Sequence, residues 1–109
     1  MPIAYKILGQ LNPAANTQTT LYTTPASNQT VVSTIIVCNQ SAVAGTFKLA
    51  LIPSGQSLST SRYISFDTQA PSNDSVMLTL GLTMASGDSI VANVSSSSFS
   101  VSAYGSEIY

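Results

Sequence analysis

Hydrophobic positions along this chain recur with a period of two. From Val76 to Met84 the even positions are Val76, Leu78, Leu80, Leu82 and Met84, while Thr79, Gly81 and Thr83 occupy odd positions and Met77 is the one large apolar exception. Alternation of this kind places one set of side chains on each face of a β-strand. It recurs at Phe47, Leu49 and Leu51, at Ile90, Ala92 and Val94, and at Phe99, Val101 and Ala103. Ile64 and Phe66 mark a shorter strand between Tyr63 and Asp67, and Ile3, Tyr5 and Ile7 a candidate strand at the start. The run from Val31 to Cys38, interrupted only by Ser33 and Thr34, reads as a central strand covered on both faces. No window sustains a helical repeat.

Turn formers separate these runs: Asn12-Pro13, Pro25 to Asn28, Pro53 to Gly55, Pro71 to Asp74 and Ser86 to Asp88. Ser95 to Ser98 reads as a hairpin loop joining two strands. Short strands at close intervals, with no helical spacer, predict an all-β fold: one antiparallel β-sandwich of about eight strands, immunoglobulin-like or jelly-roll, over residues 1–109. Periodicity carries no strand order, so both topologies stay open.

Composition narrows the functional classes. The 109 residues include three cationic side chains (Lys6, Lys48, Arg62), four anionic ones and no histidine. Polarity comes instead from 19 Ser, 12 Thr, 6 Asn and 6 Gln, so the surface hydrogen-bonds without being ionic. Three cations cannot neutralise a nucleic-acid backbone or hold the chain to an anionic membrane. No run approaches a membrane span, and the segment from Met1 to Lys6 lacks the charged and apolar regions of a secretory signal.

Catalysis has little to work with. The single cysteine, Cys38, lies in the run Ile35-Ile36-Val37-Cys38 and reads as a small buried hydrophobe. Asp67 ends a strand pattern, Asp74 and Asp88 follow turn residues, and no histidine is present to activate any of the serines. No catalytic residue, metal site or cofactor is expected, and the chain is read as a non-enzyme.

Sheet edges expose unpaired N–H and C=O groups that soluble proteins guard with charges, proline or bulges. With seven charges for about eight strands, some edges must be covered by something else, and another protein chain is the simplest candidate. The predicted interaction residues are apolar or aromatic positions off the core face or at the chain ends: Pro2, Tyr5, Tyr22, Ile108 and Tyr109. Removing Ile108 and Tyr109 is expected to leave the fold intact and to weaken attachment.

Several segments are familiar together: Ala4 to Gln10, Leu21-Tyr22-Thr23 with Pro25, Val32 to Asn39, Leu80-Gly81-Leu82-Thr83 with Gly87-Asp88, and Tyr104-Gly105-Ser106-Glu107-Ile108. Across nearly the whole chain they resemble small virion structural proteins of tailed bacteriophages, notably cyanobacterial phages. The resemblance implies a compact β-sandwich added to the outside of a capsid or tail. It makes a capsid decoration or cement protein, bound to the major capsid protein, the first expectation. A tail, baseplate or fibre module and a host-glycan-binding module are the alternatives. Partners would then be viral structural proteins and further copies of the chain, in a virion assembled in the host cytoplasm.

Overall fold

The computed structural model describes residues 2–109, with Leu80 described by its backbone alone. Eight strands run in chain order among these residues: β1 (Ile3–Leu11), β2 (Thr19–Thr23), β3 (Gln29–Asn39), β4 (Gly45–Ile52), β5 (Tyr63–Ala70), β6 (Asp74–Met84), β7 (Ser89–Val94) and β8 (Phe99–Ile108). A single 3-10 turn, Thr60–Arg62, precedes β5. Among the described residues no helix is long and apolar enough to cross a membrane.

The strands form two antiparallel four-stranded sheets, ordered β1-β8-β3-β6 and β2-β7-β4-β5. Only β4 and β5 are both consecutive and paired. The four outer pairs, β1–β8, β2–β7, β3–β6 and β4–β5, are nearly symmetric about the loop 53–59: Ile3 with Ile108, Thr19 with Ala92, Val37 with Val76 and Gly45 with Ala70. The chain is thus one long hairpin, β1–β4 against β5–β8, rolled so that alternate pairs fall in opposite sheets. That is the jelly-roll arrangement. An immunoglobulin sandwich pairs several consecutive strands, so this alternative is excluded by strand order.

Between the sheets lies a core of Val32, Ile35, Val37, Phe47, Leu49, Met84, Ile90, Val94, Phe99 and Val101, each almost fully buried. Asn39 is buried with them because its amide donates to the carbonyls of Val43 and Ala70 (3.0 and 3.1 Å) while its oxygen accepts from the Ser41 N–H. A buried amide is tolerated when its hydrogen bonds are made.

A line of bulges crosses the first sheet. Register shifts fall between Ile7 and Gly9 on β1 and between Val32 and Thr34 on β3, the latter against both β8 and β6. Gly105 sits on this line: a Cβ there would collide with the Val31 carbonyl oxygen, so the close approach of β8 to β3 admits only glycine.

These shifts explain where alternation misleads. On β3 the buried set moves from Thr30 and Val32 to Ile35, Val37 and Asn39 across the bulge. Cys38 is therefore on the outward face, half-buried and free, rather than in the core. The central strand is correspondingly covered on one face only, with Val31, Ile36 and Cys38 half-buried on the other. Asp67 lies within β5, at a bulge with φ +50°, not at its end. Ser95 to Ser98 link β7 to β8 in opposite sheets, so they form a crossover and not a hairpin. Finally, β2 left no alternation in the sequence because a bulge between Thr20 and Tyr22 buries the adjacent residues Leu21 and Tyr22.

Candidate interaction face

Residues directly opposed in an antiparallel pair share a face. On the outward side of the first sheet, three rows can be followed across the register at the end bearing the chain termini. One runs Ile3, Ile108, Gln29; the next Tyr5, Ser106, Val31, Thr83; the third Ile7, Tyr104, Thr34. Ile3, Tyr5 and Ile7 are 51%, 84% and 54% exposed, which makes β1 the most apolar open row of this face. Tyr5 protrudes because the residue beside it on β8, Ser106, is small.

Pro2, Tyr5, Ile108 and Tyr109 are brought together here. The Tyr109 N–H donates to the Pro2 carbonyl at 3.0 Å, closing the ladder beyond Ile3 and Ile108, and Tyr109 is exposed. Tyr22 does not belong with them. It is buried between the sheets, with its hydroxyl donating to the Glu107 carboxylate and sharing a 2.8 Å hydrogen bond with Thr30. The tyrosine crosses the interior because its ring fills apolar space while its polar tip finds partners. Ile108 is half-buried and paired to both Ile3 and Gln29, so the end of β8 is held between two strands rather than standing free. Ile3 and Ile7 lie on the same face but were not singled out from the sequence; their alternation was visible, but alternation does not say which face is inward.

The inner side of the same end is polar. Glu107 is 5% exposed, and its carboxylate accepts from Lys6 Nζ at 2.8 Å as well as from Tyr22. Lys6 on β1, Tyr22 on β2, Thr30 on β3 and Glu107 on β8 therefore tie both sheets at one point. The Lys6 ammonium and the Tyr22 hydroxyl together hold the Glu107 carboxyl below its ordinary range, against the opposing effect of burial. Burial first, then the Glu107 carboxylate, pushes the Tyr22 phenol up to about 12. These shifts make the cluster a fixed ionic tie with the tyrosine protonated at neutral pH.

Two other surfaces are also open, with Phe66 60% exposed. Ile64 and Phe66 face outward on β5, but the Phe66 ring lies edge-on to Tyr63 (centroids 4.9 Å) and 5.0 Å from the Lys48 ammonium, which also pairs with Asp67 at 2.6 Å. A shallow cleft near the rolled hairpin's tip is lined by Leu51, Pro53, Arg62, Tyr63, Ile64 and Asp88. Both Asp88 oxygens are already occupied by the N–H groups of Ser54 and Ala85, each at 2.9 Å. Among the described residues no group of three or more His, Cys, Asp or Glu is placed to hold a metal ion.

No protein-family model, curated protein or solved structure matches the chain.

Proposed function

We propose that this chain is a non-enzymatic structural subunit that attaches to a larger protein assembly through the outward β1–β8 face. The observation that carries the proposal is the exposed row Ile3, Tyr5, Ile7 on an ordered, hydrogen-bonded strand. An apolar row on a rigid scaffold loses little conformational entropy on docking, and a single-sign charge field is absent, so docking desolvates few ions. Aromatic and aliphatic anchors of this kind are where interface energy concentrates.

The resemblance to small virion proteins of tailed phages makes the assembly a capsid and the partner its major capsid protein, with this chain as an external decoration or cement subunit. The jelly roll supports the reading by fold-level analogy, since this architecture recurs in viral capsid and lectin domains. Attachment at a tail, baseplate or fibre would use the same face.

The test is attachment to purified particles that lack the chain. Wild-type protein added back should co-sediment with them, at a copy number on the order of hundreds for a capsid site and tens for a tail site. The double variant Tyr5→Ser, Ile7→Ser should fold and stay in the supernatant. Retention of the variant at the wild-type level would remove this face as the attachment surface.

A further inference from the structure

The two sheets have four open edges, and three of them are guarded. β1 carries Lys6 mid-strand and a bulge at Leu8; β2 has five residues and is followed closely by Pro25. β5 is broken by two register shifts and carries Asp67, ion-paired to Lys48. β6 is different. Its 11 residues contain no lysine, arginine or proline, and its only charge, Asp74, stands at the first position. From Asp74 to Thr79 it runs in unbroken register with β3, opposite Asn39 to Thr34. A regular strand with its outer N–H and C=O groups unpaired is a template for another strand.

We propose that two copies of this chain associate through β6, antiparallel across a two-fold axis, with Met77 beside its own counterpart. A second copy is selected by the pattern of the strand itself. Opposed residues must share a face, so the axis passes through a residue pair. Centred on Met77, the regular stretch pairs Ser75 with Thr79 of the second copy and Val76 with Leu78, polar against polar outside and apolar against apolar inside. Met77, 68% exposed, gains an apolar neighbour on the outward face. The antiparallel sense also sets the two Asp74 carboxylates six residues apart, about 20 Å, beyond the ~10 Å screening length at ordinary salt. A parallel arrangement would place them side by side.

The consequence is geometric. β1 and β6 are opposite edges of one sheet, so the dimer has a continuous eight-stranded sheet with the two Tyr5 rows at its outer ends, roughly 34 Å apart at the usual strand spacing. Such a dimer is bivalent, and its second attachment is intramolecular. The pairing itself does not rest on the attachment reading, because it is read from the chain alone.

Sedimentation velocity over a concentration series tests it, with the wild type, Met77→Lys and Tyr5→Lys compared. The expected result is a reversible wild-type dimer whose dissociation constant rises about tenfold or more in Met77→Lys, where two like charges would be opposed, and stays unchanged in Tyr5→Lys. A second measurement uses Cys38→Ser combined with Met77→Cys under mild oxidation. Opposed residues have Cα atoms about 4.5 to 5.5 Å apart, within disulfide reach, so a covalent dimer should form. A wild type that stays monomeric and a Met77→Cys chain that does not cross-link would overturn the proposal. So would a dimer that Met77→Lys leaves intact. Should Met77→Lys fail to fold, the cross-link decides alone. Failure of attachment to particles would appear only in the Tyr5 and Ile7 variants and leaves these readouts untouched.

Discussion

The two halves of the first sheet, on either side of its bulge line, differ in what they bury. In the half with Ile35, Val37, Phe99 and Val101, the interior is wholly apolar except for Asn39, and the outward face mixes Ser75, Ser100 and Ser102 with Ile36, Cys38 and Met77. In the half with the chain ends, Val32 and Met84 keep an apolar interior, but Thr30, Glu107 and the Tyr22 hydroxyl are buried alongside them and Ile3, Tyr5 and Ile7 face outward. The first half is built to hold the molecule together. The second is tied by a polar network, and the apolar positions of β1 stand open to solvent. Burial of apolar surface is the larger and less directional stabiliser, whereas a buried ionic tie contributes little net energy but is expensive to break on one side.

The largest effect should come from emptying the apolar half. Phe99→Ala removes a fully buried ring and is expected to cost about 3 to 5 kcal/mol by urea unfolding. A loss under 1 kcal/mol would mean that this half is not the principal store of stability. Next comes the line between the halves. Gly105→Ala drives a Cβ into the Val31 carbonyl and should cost about 1 to 3 kcal/mol, with weakened amide protection in β3 and β8 by hydrogen exchange.

The polar half contains Glu107 and Tyr22, whose pKa values are shifted by the fold. Glu107 has a lowered pKa in the fold, so its contribution is fully present above the unfolded value of about 4.3 and is lost as pH falls through the folded value. Tyr22 has a raised pKa, so its contribution holds below about 10 and is lost as pH rises toward about 12. Glu107→Gln should cost about 1 to 2 kcal/mol at neutral pH and flatten the acid limb of stability against pH. An acid limb identical to wild type would place the acid-sensitive group elsewhere. The smallest effect on stability belongs to Tyr5→Ser on the outward row, within about 0.5 kcal/mol, while particle attachment is reduced.

Much of the fold could be read in advance because period two survives in most strands. Seven segments identified by alternation or apolar runs lie on strands, and the clusters at Asn12, Pro25, Pro53, Pro71 and Ser86 fall in or beside the connections. Illegible elements share one cause, a bulge. β2 hid behind the adjacent burial of Leu21 and Tyr22, and Cys38 changed face because β3 slips phase at Ser33. At the candidate face, Pro2, Tyr5, Ile108 and Tyr109 were identified from their position near the ends. Ile3 and Ile7 were passed over because their alternation matches that of a core strand equally well. Glu107 gave no local signal of burial, since its partners Lys6, Tyr22 and Thr30 are remote in sequence.

What the sequence determined by itself is local: extended backbone, turns, a single antiparallel sandwich and a surface polar without being ionic. These follow from side-chain alternation and turn chemistry, which act over a few residues. Tertiary structure decided the rest. Rolling one long hairpin chose the jelly roll over the immunoglobulin order, because pairing symmetric about the loop 53–59 involves contacts that no local pattern encodes. The same rolling set β1 and β6 at opposite edges of one sheet, and the bulge line determined which face of each strand points inward. A period of two divides residues into two faces; only the partner sheet determines which of them meets water.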